Sequence, residues 1–255
     1  MASITRDRGC LYYVPWIATL CVCLGIASLG VWAYYTRRCK DLTLEALDDL
    51  GIKAKNVDRI NIALIATAIT YLALVMVIFL MSLWRSFIEA AHDAVGLVSR
   101  GAMVFLVLNF LFTTGWWITM MWLVLLIMGN TLWATCLYIL IGSIKKAKED
   151  IAKFGAATWL PSRNLPCPGQ CLDLTTFTFI TSELKDACIC DTDKLEAARG
   201  AFDHAYGIFP GIAVGNFVMF VAGVLLLMNL ACQFSHAKRE RELLSRITAK
   251  VYSAM

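Results

Sequence analysis

The residues of this 255-residue chain whose type and spacing could do chemistry are its cysteines. Of ten, four fall in one stretch, as Cys167-Pro-Gly-Gln-Cys171 and then, beyond a Thr- and Phe-rich segment, Cys188-Ile-Cys190. Two chemistries are open to them. Oxidation would staple a loop too small to bury a core that holds it together, which is where disulfides are common. Zinc ligation is the alternative, but Cys-x3-Cys with Cys-x-Cys is poor zinc spacing, and His204 is the only histidine nearby. Disulfides need an oxidising compartment, so the oxidised reading puts the stretch outside the cell or in a lumen.

Elsewhere, chemistry has little to stand on. Four apolar runs carry no Asp, Glu, Lys, Arg or His, the groups that proton relays, ion pathways and intramembrane hydrolases require. No phosphate-binding loop and no metal-ligand cluster appears. The expectation is a chain that is not an enzyme, with no catalytic residue, no metal and no cofactor. Asn109, Asn216 and Asn229 lie within the runs and read as interhelical hydrogen-bond glue.

Composition places these residues in a membrane. Hydrophobic residues make up 59% of the chain and charged residues 16%, far from a soluble domain. The net charge of +4 is spread over several segments, so nucleic acid is not an expected partner; lipid and protein are. The first apolar run is long enough to anchor the chain, and no small-residue cleavage site is evident after it.

The elements that must position the cysteines follow in order. Residues 1–13 form a leader with Arg6, Arg8 and Cys10, a juxtamembrane thiol that is a palmitoylation candidate. Residues 14–35 form span one, with aromatic belts at Tyr12, Tyr13 and Trp16 and at Trp32, Tyr34 and Tyr35; Cys21 and Cys23 act there as small hydrophobes. Residues 36–59 make a mixed-charge first outer loop, with a helical turn or two suggested by Leu44, Leu47 and Leu50. Span two occupies 60–84, and 85–101 is a linker that continues the helix.

From Ala102 to Ile144 run 43 residues without a charge, about 64 Å as a helix, which is twice one crossing. A hairpin at Gly129-Asn130-Thr131 would leave a second half below the usual ~17-residue minimum. The better reading is a single span over 102–128 whose helix projects outward to about 144 and buries Trp133, Leu137 and Ile141 against the stapled segment. A large outer loop then covers 129–205, span four 206–234, and a basic amphipathic tail 235–255, ending in a tyrosine-sorting-like Tyr252-Ser-Ala-Met. Gly207, Gly211 and Gly215 recur every fourth residue and shave one face of span four for close helix packing, within the monomer or in a homo-oligomer. The fold class expected is an all-α membrane protein, a four-helix transmembrane bundle with a disulfide-stapled large second extracellular loop.

Orientation is not settled by the positive-inside rule, since both arrangements count about as many Lys and Arg on the inner side. The cysteines decide it. With both termini cytoplasmic, Cys39, Cys136, Cys167, Cys171, Cys188 and Cys190 lie outside, an even set suited to a disulfide framework. Leu29, Tyr34 and Arg37 also fit a loose cholesterol-contact pattern.

Three motifs resemble one family. Pro15-Trp16-Ile17-Ala18-Thr19 with Gly25-Ile26-Ala27 is similar to the Pro-Phe opening and Ala-Thr-x5-Gly-Val-Ala pattern of the proteolipid family. Asn130-Thr131-Leu132-Trp133-Ala134-Thr135-Cys136 resembles its Asn-Thr-Trp-x-Thr-Cys, and Cys171-Leu172-Asp173-Leu174-Thr175-Thr176-Phe177 its Cys-x-Asp/Asn-x-x-x-Phe/Tyr. Thr178 stands where the family has glycine, and Cys10 alone replaces its acylated cysteine cluster. The resemblance, to the myelin proteolipids and neuronal membrane glycoproteins, implies a divergent, invertebrate-type member. It also implies a plasma-membrane protein that organises membrane or cell-contact architecture through its outer loop. By the same resemblance Cys171 pairs with Cys188 and Cys136 with Cys190, although Cys167 with Cys190 makes a tidier ladder. A tetraspanin-like scaffold, whose Cys-Cys-Gly mark is missing, and an accessory subunit of a channel are the other function classes.

Overall fold

Long apolar runs favour helix because in hydrocarbon every backbone N–H and C=O must find a partner within its own segment. The computed structural model describes residues 15–52, 57–95, 101–155, 166–174 and 188–253. It contains four long helices, α1 (Trp16–Asp49), α2 (Val57–Val95), α3 (Gly101–Phe154) and α4 (Thr192–Ser253), and two short strands, β1 (Leu172–Asp173) and β2 (Cys188–Ile189). All four helices are long and apolar enough to cross a membrane. At 34, 39, 54 and 62 residues they also exceed what a crossing requires, which is roughly 20 residues.

The surplus length is the main difference from the sequence expectation. In place of a first outer loop over 36–59, α1 continues to Asp49, because Leu42, Ala46, Leu47 and Leu50 bury one helical face; Leu44 is only half-buried. The helix stops where Gly51 adopts a φ of 75°, with Gly51 N–H donating to Asp48 O and Ile52 N–H to Leu47 O, both at 2.8 Å. These two bonds close a Schellman cap, which needs a left-handed residue. Gly51→Ala is therefore expected to cost about 1 kcal/mol, read as a lower thermal midpoint of the detergent-solubilised protein; an unchanged midpoint would refute the cap. Gly155, at φ 86°, ends α3 in the same conformation.

Helix α3 passes through Gly129-Asn130-Thr131 without turning. Of the expected 129–205 outer segment, α3 continues to Phe154, beyond the expected helix end near 144, and α4 already begins at Thr192.

The chain divides into two compact units. One comprises Met1–Ser28, Ile69–Val124 and Phe217–Met255; the other comprises Leu29–Ala68 and Leu125–Asn216.

In the first unit, aromatic groups with polar tips tie helices together. Trp116 Nε1 donates to Gly223 O at 2.9 Å and Tyr71 Oη to Met219 O at 3.3 Å, with the two rings 5.8 Å apart. Asn109 Nδ2 donates to Leu230 O at 3.2 Å, and Asn229 Nδ2 to Ser82 Oγ at 3.4 Å. Both are interhelical bonds of the kind small polar residues make in apolar bundles. Arg85, one residue past the expected end of span two, is buried with its guanidinium 5.8 Å from the centre of the Phe105 ring.

In the second unit, buried residues on α3 recur at Leu137, Leu140, Ile144, Ala147 and Ile151, and on α4 at Leu195, Ala198, Phe202, Ala205, Phe209 and Ile212. Alternating steps of three and four are the seam of a coiled coil. The two seams run antiparallel: as α3 descends from Lys148 through Tyr138 to Trp133, its partners on α4 ascend from Glu196 (an ion pair) through Tyr206 to Phe209. Trp133 thus packs edge-on against Phe209, with centroids 5.7 Å apart, rather than against the cysteine segment as the sequence suggested.

Candidate functional site: the stapled segment

The α3/α4 pair carries the cysteine segment at one end. After Pro166, the chain turns at Pro168-Gly169-Gln170, where Cys171 N–H donates to Pro168 O at 2.9 Å. It then enters β1, which pairs antiparallel with β2, Leu172 opposite Ile189 and Asp173 opposite Cys188. Strands of two residues cannot persist by themselves. Two disulfides hold them, Cys167–Cys188 and Cys171–Cys190, with sequence separations of 21 and 19. Leu172, Leu174 and Ile189 are buried beneath the staples. Immediately after Cys190, Asp191 caps α4: its Oδ1 accepts the Asp193 N–H at 3.0 Å, and its carbonyl accepts the Leu195 N–H at 3.1 Å. A side-chain acceptor at this position satisfies an orphan donor of the first turn. The second disulfide is therefore fixed directly onto the helix.

The pairing corrects the expected Cys171–Cys188 bond. With Leu172 opposite Ile189, the register sets Cys171 across from Cys190, while Cys188 lies opposite Asp173. The Pro168 turn then leaves Cys167 to reach Cys188. Because Cys190 is taken, Cys136 does not bond to it and is a free thiol, as is Cys39, both of which were expected to join the framework. Cys39 is instead fully buried, its thiol donating to Ala205 O at 3.7 Å. The Sγ atoms of Cys171, Cys188 and Cys190 lie within 4.8 Å of one another, which here reflects two adjoining disulfides. Cys10, the palmitoylation candidate, lies outside the described residues.

The glycine face is partly as expected. A Cβ at Gly215 would meet the backbone N of Trp32 at 2.8 Å, and one at Gly211 the Tyr35 ring at 2.7 Å. A Cβ at Gly207 would meet nothing within 4 Å, which corrects its assignment to the packing face. Residues spaced by four drift about 40° round a helix per step, so Gly207 has turned out of the contact that Gly215 makes. Asn216, read as hydrogen-bond glue, is buried, and neither of its amide atoms has a partner among the described residues.

The sequence reading missed the α3/α4 seam and two buried cations. Lys40 is almost fully buried in the second unit, donating to Asn61 Oδ1 at 2.9 Å beside Asp41; Arg85 is the other. The three-four alternation of apolar residues over 137–151 and 195–212 would have found the seam.

Four helices long and apolar enough to cross a membrane and two disulfides are the features of a class, the multi-pass membrane proteins with a disulfide-bonded segment, and the chain is compatible with it. Comparison with known proteins finds no matching family model, no matching curated protein and no matching solved structure.

Proposed function

We propose that the chain is a non-enzymatic, non-conducting plasma-membrane protein, both termini cytoplasmic, that organises membrane or cell-contact architecture through the stapled segment. In this reading it is a divergent relative of the proteolipids. The observation that carries the proposal is the double staple: two disulfides lock a two-residue β bridge and weld it to the cap of α4. Oxidised cysteines favour an extracellular or lumenal position. Apolar helix windows with few ionisable groups argue against an ion pathway. A rigid surface loses little ordering entropy on meeting a partner, which suits recognition.

The disulfide pairing departs from the one the proteolipid resemblance implies, so the reading leans on topology and stapling rather than on connectivity. Membrane lipids, with cholesterol among them, and membrane proteins at contacts are the partners proposed, together with self-association. The basic residues of the 235–255 tail would add attraction to an anionic inner leaflet of roughly 1 kcal/mol per basic residue near the surface.

Expression of the chain alone in cells, and separately in liposomes, tests the proposal. The expected result is concentration at contacts or protrusions, lost when 167–190 is replaced, with no ion flux in liposomes. A selective conductance from the purified protein would overturn it in favour of a channel-forming or channel-assisting role.

A further inference from the structure

Beside the staples the second unit has a cleft of about 460 Å³, a size within the range of small-molecule sites. One wall is α3, contributing Ser143, Lys146 and Asp150; the other is the stapled segment, contributing Cys171, Leu172 and Asp173. Lys146 and Asp150 are four residues apart, the spacing at which a helix readily pairs opposite charges. They do not pair, and among the described residues neither side chain has an ion-pair or hydrogen-bond partner. An ammonium and a carboxylate are therefore both presented to the same cleft. Asp173 lies on the facing wall with a partner of its own, and Ile139, Ala147 and Leu172 make the rest of the lining largely apolar.

We infer that this cleft binds a small zwitterion bearing a primary ammonium a few bonds from an anionic group, the chemistry of phosphoethanolamine. The anionic end meets the Lys146 ammonium and the Ser143 hydroxyl. The ammonium end meets Asp150, whose oxygens accept its N–H groups, and charge-assisted bonds of this kind are about twice as strong as neutral ones. Both disulfides lie within the stapled segment and hold that wall in shape. The inference does not rest on the function proposed above.

The full chain, purified in detergent, is titrated calorimetrically with glycerophosphoethanolamine and with glycerophosphocholine, which lacks N–H donors. In a second arm it is reconstituted in phosphatidylcholine nanodiscs and exposed to vesicles with or without phosphatidylethanolamine. Saturable binding of the ethanolamine form, at least tenfold tighter than the choline form and weakened at least tenfold by Lys146→Gln and by Asp150→Asn, is the expected result. Response to the soluble compound assigns a free ligand. Response to ethanolamine vesicles only, lost in the same variants, assigns a lipid headgroup of an apposed membrane. Thermal melting and disulfide mapping confirm that each variant is folded. Failure to bind in either arm, equal binding of the choline form, or binding unchanged in both variants overturns the inference.

Discussion

Gly215→Ala is expected to destabilise the protein by roughly 1–3 kcal/mol, the usual range for forcing an extra carbon into a packed interior. The reason is what the new methyl meets. At Gly215 the Cβ would sit 2.8 Å from the Trp32 backbone N and 2.9 Å from its Cα. Backbone atoms cannot rotate aside, so α1 and α4 must move apart along this contact. At Gly211 the obstacle is the Tyr35 ring, at 2.7 Å; a ring can swing, and the cost of alanine there should be smaller. At Gly207 nothing lies within 4 Å, and alanine should be neutral or stabilising by up to about 1 kcal/mol, its advantage over glycine in a helix. Thermal unfolding in detergent, with surface expression as a second readout, gives the order. If Gly215→Ala and Gly207→Ala behaved alike, the close contact between α1 and α4 would be wrong.

Removing the Cys171–Cys190 bridge as the double serine variant is expected to cost about 3 kcal/mol, the loop-closure value for a ring of some twenty residues. The separation of 19 residues sets that size. Only the Cys167–Cys188 bridge would then hold the two-residue strands, so 167–190 should become more open to protease while the long helices stay protected. Non-reducing peptide mapping of the intact protein should recover Cys167 with Cys188 and Cys171 with Cys190, with Cys39 and Cys136 as thiols. Cys39, fully buried, should resist alkylation until the protein is unfolded. A peptide joining Cys171 to Cys188 would reject the β register as well as the bridge.

Much of this architecture was legible in the residues. Charge-free apolar runs identify four helices, since the requirement for internal backbone bonding leaves few other structures for them. The continuity of α3 through Gly129-Asn130-Thr131 follows from length alone, because two crossings do not fit. The stapled segment was visible as paired cysteines in a stretch too small for its own core. Other features were hidden where the full helical extent of 36–49 and 192–205 was read as loop. Residues 36–49 and 192–205 are rich in charge, yet each has one buried face: Leu42, Ala46 and Leu47 in the first, Leu195, Ala198 and Phe202 in the second. Periodicity carries that information where mean hydropathy does not.

The sequence by itself determined the class of protein, the number of long helices and which cysteines lie close enough along the chain to staple a loop, because these depend on local composition, length and spacing. Only the tertiary structure decided who bonds to whom. Cys171 faces Cys190 because the β register puts them opposite, and six candidate cysteines allow fifteen connectivities that sequence cannot rank. Gly215 is a contact and Gly207 is not because a four-residue repeat drifts around its helix, and only the neighbour's position says where the contact falls. Lys146 and Asp150 face a cleft instead of each other because the stapled segment lies alongside α3 there. Each of these depends on distances between residues far apart in the chain, which no local pattern encodes.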